Sequence, residues 1–345
     1  MSRVNVPKKL NYGDTIAFVA LSSGLAGEKG INWRVDLAKE RLENMGFIVK
    51  IMPHTLCDKE FIYNHPELRA QDLMDAFLDQ NIKAIITTTG GNDSIRMLPH
   101  LNFESIASNP KIFTGFSDST ITHLICQKCN LVSYYGIDVL HDLAENVHIP
   151  QFTLDYFTKV FMNNKLISNI QAPSTIKKQG LRWDYNKKDI EREDIINSPL
   201  EFLNSNNIGT GRLIGGCLEV LNIAKGTVIF PSLEHFEGTI FFIETSGVKS
   251  PPWLFEDSLR NLGAIGILNK INGLIVGKPF DSIYYEEYKE VLLKILAEFH
   301  CTELPVIFNF PIGHNEPKTI LPIGITAQIN PIRHTFSLLE PTVKE

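Results

Sequence analysis

The sequence predicts an α/β protein in two parts: an N-terminal domain on a doubly wound, Rossmann-like parallel sheet, then a smaller mixed α/β C-terminal domain. Three observations carry this. Through about the first 140 residues, short apolar runs alternate with amphipathic stretches, the pattern of βαβ units. From about Asn163 to Asn207 the periodic apolar positions thin out and polar residues take over. The 345 residues also exceed one typical domain of roughly 100 to 200, so two cores are expected. The expected boundaries are 1–165 for the first domain, 166–207 for a connecting segment and 208–345 for the second domain.

Taken in order, Thr15 to Ala20 reads as the first strand, followed by a loop with Ser22, Ser23, Gly24 and Gly27. Asn32 to Met45 sets Val35, Ala38, Leu42 and Met45 at helical spacing, and Gly46 stops that helix. Phe47 to Met52 is a strand, and His65 to Leu78 a helix with Leu68, Leu73, Met74, Phe77 and Leu78 on its buried face. The strand Ala84 to Thr88 runs into Thr89-Gly90-Gly91-Asn92-Asp93. Ile112 to Thr114 breaks at Gly115-Phe116-Ser117-Asp118 before a helix from Ser119 to Cys129. Ligands on such sheets sit at the carboxyl ends of the strands, so the loops at 90–93 and 115–119 are where chemistry is expected. The charge-dense run Lys187 to Asp194 reads as a solvated face. Beyond Gly209, β-type runs fall at Arg212–Ile214, Thr239–Ile243, Gly273–Val276, Val306–Phe308 and Thr326–Ile329, with helices at Cys217–Ala224, Phe255–Leu262 and Tyr284–Glu298.

Composition removes several classes. Hydrophobic residues at 43% and charged residues at 21% match soluble globular chains, which excludes disorder and fibres. A formal charge of -6 does not suit a protein that must neutralise a run of phosphates, so nucleic acid is not expected as a partner. The first ten residues carry no apolar segment of a secretory signal and no run reaches the length of a membrane span, so a cytoplasmic location is expected. Five cysteines are an odd number and fit reduced thiols. The lone Cys126-x-x-Cys129 has neither a second pair nor a His cluster, and it reads as two ordinary helix cysteines with no metal.

Ser117 stands at a sharp strand-to-helix turn, where a hydroxyl is lifted above the sheet edge and the following helix aims its free N–H groups at the same spot. Helix capping alone would also select Ser, Asp, Ser and Thr there. Glu244 ends the apolar run Thr239 to Ile243, a usual position for a catalytic carboxylate and also for a surface acid. His314 follows Gly313 at the end of another apolar run, and spacing does not separate it from a structural histidine. Gly90-Gly91 is either a close backbone approach to a ligand or loop punctuation.

Jointly these segments resemble the LD-carboxypeptidases, serine peptidases that include muramoyl-tetrapeptide carboxypeptidases and microcin C7 self-immunity peptidases. Gly90-Gly91, Gly115-Phe116-Ser117-Asp118, Gly215-Gly216, Phe242-Ile243-Glu244, Gly273-Leu274-Ile275-Val276-Gly277, Gly313-His314 and Leu321-Pro322-Ile323-Gly324 occur in that family's order over roughly residues 10–330. The resemblance implies Ser117 as nucleophile, His314 as general base and Glu244 as its orienting acid, with backbone N–H groups of Gly91 and Asp118 as oxyanion hole. It implies cleavage of an amide through an acyl-enzyme, no metal or organic cofactor, and a homodimer.

Within the family, the tetrapeptide branch resembles a shorter chain with Arg-Gly-Gly-Tyr-Gly in the first glycine loop. Here that loop is Thr89-Gly90-Gly91-Asn92-Asp93, and a long segment carrying Trp183 lies between the domains. Both features are similar to the immunity-type branch, in which an aromatic there covers an adenine-bearing substrate. Gly90, Asn92 and Trp183 are therefore expected to bind a small peptide or peptidyl-nucleotide; for Trp183 the alternative is interdomain packing. Two other readings remain. An α/β-hydrolase-like esterase shares the order Ser, acid, His, but Ser119 stands where its G-x-S-x-G elbow needs glycine. A non-catalytic small-ligand-binding protein would use the serine only as a cap.

Overall fold

The computed structural model describes residues 4–181 and 183–345. Its first part contains β1 (Thr15–Val19), α1 (Trp33–Asn44), β2 (Ile48–Ile51), α2 (Lys59–Asn64), α3 (Pro66–Leu78), β3 (Ile82–Thr87), α4 (Phe103–Ala107), β4 (Ile112–Gly115), α5 (Thr120–Lys128), β5 (Ser133–Tyr135) and α6 (Gln151–Phe157). The remainder contains β6 (Thr175–Lys177), β7 (Asp194–Ile196), β8 (Glu201–Leu203), β9 (Gly209–Cys217), α7 (Leu218–Ala224), β10 (Ile240–Glu244), α8 (Pro252–Ala264), β11 (Gly273–Gly277), α9 (Tyr285–Glu298), β12 (Val306–Phe310), β13 (Leu321–Ile323), β14 (Thr326–Asn330) and β15 (Thr335–Leu338).

The first sheet has the order β13-β5-β4-β3-β1-β2, parallel except for β13. The chain leaves β1 for β2 on one side and returns to β3 on the other, which opens a crevice at the carboxyl ends of β1 and β3. The second sheet, β15-β14-β9-β10-β11-β12-β8, has a parallel centre flanked by antiparallel strands. Parallel strands are covered on both faces, so they read as unbroken apolar runs; β10, β11 and β12 are buried throughout. This is the mixed α/β architecture expected, with a parallel sheet first and a mixed one second.

Two apolar clusters lie on opposite faces, and each crosses from one sheet to the other. One joins Ile125 of α5 to Leu221 of α7; the other joins Tyr134 of β5 to Phe310 of β12. Cys126 and Cys129 belong to the first cluster as free thiols, and burial pushes that of Cys129 up to about 11. The short helices α2 and α4 escape periodicity because they are only a turn or so long. They are set by caps instead, Asp58 accepting from the Phe61 N–H at 2.8 Å and Asn102 from the Ser105 N–H at 3.0 Å. Among the described residues no helix is long and apolar enough to cross a membrane.

The run 187–194 corrects one expectation. Asp189, Glu191 and Glu193 are solvated, but Arg192 is only 2% exposed and its guanidinium pairs with Glu145 and Glu316. A buried charge is tolerated when it is paired and hydrogen-bonded. Here the pairing pins the connecting segment to both halves of the chain.

Candidate active site

Three strand ends converge at one cleft: the turn after β4, the end of β10 and the loop after β12. Ser117 adopts φ 60, a left-handed conformation costly for a non-glycine residue and held here by its neighbours. Its N–H donates to the Tyr135 hydroxyl at 2.9 Å and its carbonyl accepts from Thr120 Oγ1 at 2.7 Å. The Ser117 hydroxyl lies 3.1 Å from His314 Nε2, and His314 Nδ1 lies 2.8 Å from Glu244 Oε2. The other Glu244 oxygen accepts from the Tyr135 hydroxyl. The imidazole also meets the Phe116 ring edge-on, centroids 5.0 Å apart. Ser117, His314 and Glu244 thus stand in one hydrogen-bonded row.

Gly313 is at φ +93, and a Cβ there would fall 2.4 Å from Glu244 Oε2, so only glycine lets the loop lay His314 against the carboxylate. Gly90 packs on the serine: a Cβ there would sit 2.8 Å from Ser117 Cβ and 3.4 Å from the Asp118 nitrogen. Gly91 and Asn92 are exposed at the cleft mouth. Their loop is fixed from below, since buried Arg69 donates to Asp93 at 2.8 Å and the Asp118 carboxylate accepts from the Ser94 N–H at 2.9 Å and from the Ser22 hydroxyl. The Asp118 side chain therefore faces away from the cleft while its backbone N–H stays beside Gly90.

Electrostatics follow from burial and pairing. Burial pushes the fully buried Glu244 carboxyl upward, but the charge and hydrogen bond of His314, with bonds from Tyr135 and Cys217, outweigh it and hold Glu244 below the usual carboxylate range. Burial lowers His314, whereas the Glu244 charge and hydrogen bond raise it further and leave it above an ordinary histidine, against a smaller opposing effect of Lys318. Buried Lys318 is bonded to both Asp142 oxygens at 2.9 and 3.0 Å and lies 4.0 Å from the Phe116 ring centroid.

Trp183 is half-buried, with the Arg34 guanidinium 5.1 Å from one indole ring centroid and His141 edge-on at 5.2 Å. His141 in turn meets Phe116 at 5.4 Å, so two ring contacts separate Trp183 from the residue before Ser117. Trp183 lines a cavity of about 390 Å³ with Gln179, Leu181, Asp184, Lys187 and Phe280. A cavity of about 490 Å³ lies elsewhere, beside Lys128, Arg212 and Thr239 at the opening ends of β9 and β10. Sequence reading missed Tyr135, Lys318 and Arg34; the aromatic run at Tyr134-Tyr135 before Gly136 was the one local signal.

A parallel sheet whose strand-end serine meets a histidine and an acid supplied by a second sheet is the arrangement of a hydrolase. Comparison with known proteins agrees. The chain matches the LD-carboxypeptidase N-terminal domain over residues 16–136 and the LD-carboxypeptidase C-terminal domain over residues 210–329. It belongs to the LD-carboxypeptidase family and is an enzyme of that carboxypeptidase class. It is 28% identical to the microcin C7 self-immunity protein MccF of Escherichia coli, over 96% of this chain and 94% of that one. It is 26% identical to a protein of Bacillus subtilis named probable murein peptide carboxypeptidase, over 98% of this chain and 95% of that one. Among solved structures, an MccF-like protein from Streptococcus pneumoniae in complex with AMP superposes with TM-score 0.88 and 32% identity, covering 94% of this chain and 98% of that one. MccF in complex with aspartyl sulfamoyl adenosine gives TM-score 0.87 at 25% identity, covering 99% and 100%.

Proposed function

We propose that the protein is a serine amide hydrolase in which Ser117, His314 and Glu244 act as a catalytic triad on a peptidyl- or aminoacyl-nucleotide. The observation that carries this is the position of His314, with one ring nitrogen 3.1 Å from the serine hydroxyl and the other 2.8 Å from Glu244. His314 Nε2 takes the Ser117 proton as Oγ bonds to the amide carbon. The carbonyl electrons move onto oxygen, which the N–H groups of Gly91 and Asp118 stabilise. His314 then gives the proton to the leaving nitrogen as the C–N bond breaks, and water repeats the sequence on the acyl-enzyme. Glu244 keeps the imidazole in the tautomer whose Nε2 accepts.

Substrate binding falls to Gly90 and Asn92 at the glycine loop and to Trp183, whose indole face suits a purine. The ligands of the structural relatives named above, AMP and aspartyl sulfamoyl adenosine, support this choice over a murein peptide. The cytoplasm and a homodimer, expected from sequence and resemblance, belong to the same reading; sedimentation of the purified protein tests the dimer. The decisive experiment offers purified protein an aminoacyl-sulfamoyl adenosine and, separately, an L,D-tetrapeptide ending in D-Ala, with products read by mass spectrometry. Cleavage of the adenosine compound, abolished in Ser117→Ala, supports the proposal. Cleavage of the tetrapeptide alone replaces the substrate with murein, and turnover of p-nitrophenyl acetate without either amide would favour the esterase. Binding without any turnover would leave a ligand-binding protein.

A further inference from the structure

We infer that Tyr135 is a positioning residue that sets both the nucleophile elbow and the acid, an inference that rests on the Ser117–His314–Glu244 reading above. Tyr135 closes β5 beside β4 and is fully buried. A phenol has one proton to donate and lone pairs with which to accept. Both capacities are spent inside the site: the hydroxyl accepts the Ser117 N–H at 2.9 Å and donates to Glu244 Oε1. Burial first, and then the neighbouring Glu244 charge, push the phenol well above its ordinary value, so it stays protonated and remains a donor.

Two consequences follow. The Ser117 N–H is committed to Tyr135, so it is removed from the oxyanion hole, and its bond holds the left-handed turn that aims Oγ at His314. Glu244 has each oxygen committed to a different partner, Oε1 to Tyr135 and Oε2 to His314, so the carboxylate cannot rotate and the imidazole plane is fixed with it. The hydroxyl also stabilises the ionised acid. Without it the pair Glu244–His314 binds a proton more readily, and the neutral imidazole needed for catalysis is reached only at higher pH. The other groups facing this pair are Cys217 and Glu219 from the end of β9 and start of α7, and Lys318 with its partners Asp142 and Glu316. Of these, Cys217 also bonds to Glu244, but the bond recorded at Oε1 comes from Tyr135.

The test reads labelling of Ser117 by a fluorophosphonate, a reaction independent of which amide is the true substrate, as a function of pH. Tyr135→Phe keeps the ring against Phe242 and His123, 5.3 Å away in each case, and removes only the hydroxyl. The labelling rate is expected to fall about 10- to 100-fold, the range for a lost hydrogen bond to a buried charge, with the acid limb of the pH profile displaced upward. In a Glu244→Gln background the same change should cost less than about 3-fold, because the two residues act through one bond. If Tyr135→Phe does not accumulate as folded protein, 3,5-difluorotyrosine at 135 keeps the hydroxyl as a stronger donor and should move the acid limb downward. An unmoved acid limb in either variant, whether the rate is unchanged or reduced, overturns the inference and leaves Tyr135 a packing residue. If wild-type protein is not labelled at Ser117 at all, the triad reading itself fails, and the two failures are distinct.

Discussion

Gly90→Ala asks how tightly the glycine loop is fitted to the serine. The added Cβ would stand 2.8 Å from Ser117 Cβ and 3.1 Å from its Oγ. Carbon atoms settle at about 3.5–4.0 Å, so one partner must give by roughly 0.7–1.2 Å. Ser117 cannot yield freely, since its N–H is held by Tyr135 and its carbonyl by Thr120. The loop cannot yield freely either, since Asp93 and Ser94 are tied to Arg69 and Asp118. The strain is therefore shared, at about 1–3 kcal/mol of stability. A nucleophile displaced by about 1 Å costs about 100-fold in rate. The expected outcome is a kcat lower by about two orders of magnitude, a smaller rise in KM because the same loop holds substrate, and a melting temperature lower by a few degrees, read by product mass spectrometry and circular dichroism. Gly226→Ala is the control: a Cβ there meets nothing within 4 Å although φ is +80, so it carries backbone strain without touching the site. Wild-type kcat in Gly90→Ala would refute the close approach, and equal losses in the control would assign the effect to folding alone.

Further expectations concern pH, the connecting segment and the indole. Because His314 titrates above an ordinary histidine, the acid limb of kcat/KM should fall above the usual value of about 6.5. The folded-state value is raised, so the stability His314 contributes is full below its unfolded value and is lost as pH rises through the folded one. Activity and this part of the stability should therefore move in opposite senses across one window, and an acid limb below that of free histidine would defeat the assignment. Arg192→Met leaves Glu145 buried without its cation and Glu316 with only Lys318, 3.6 Å away, and urea unfolding should report a loss of about 3–5 kcal/mol; a change under about 1 kcal/mol would mean the pair is solvated in practice. Trp183→Ala should raise KM for an adenosine-bearing substrate about 5- to 100-fold, the worth of one base–aromatic stack, while leaving a nucleoside-free amide unaffected. Equal changes for both substrates would count against stacking.

Much of this was legible because buried parallel strands leave unbroken apolar runs and because strand ends are where such sheets do chemistry. Gly115-Phe116-Ser117, Glu244 and Gly313-His314 each lie at the end of such a run, so position alone nominated them, although none could be told from a cap or a surface acid singly. What stayed hidden depends on pairing across long separations. Tyr135 meets Glu244 over 109 positions, and Lys318 meets Asp142 over 176. Pattern rules send Lys, Arg, Asp and Glu to the surface, as with Arg192, and only a partner supplied by the tertiary fold reverses that. The strands β5 and β13, with three residues each, were too short for periodicity to register.

The strand β13 follows directly on the loop of His314 and Lys318, yet it hydrogen-bonds to β5 in the other sheet, pairing Leu321 with Tyr135. The polypeptide is thus sewn back into its own beginning. A fragment lacking everything after residue 165 would present β5 as a naked, sticky edge prone to aggregate, and a wide clamshell motion would have to unzip that seam. Substrate entry must then be governed by the small loops around the mouth rather than by whole-lobe opening.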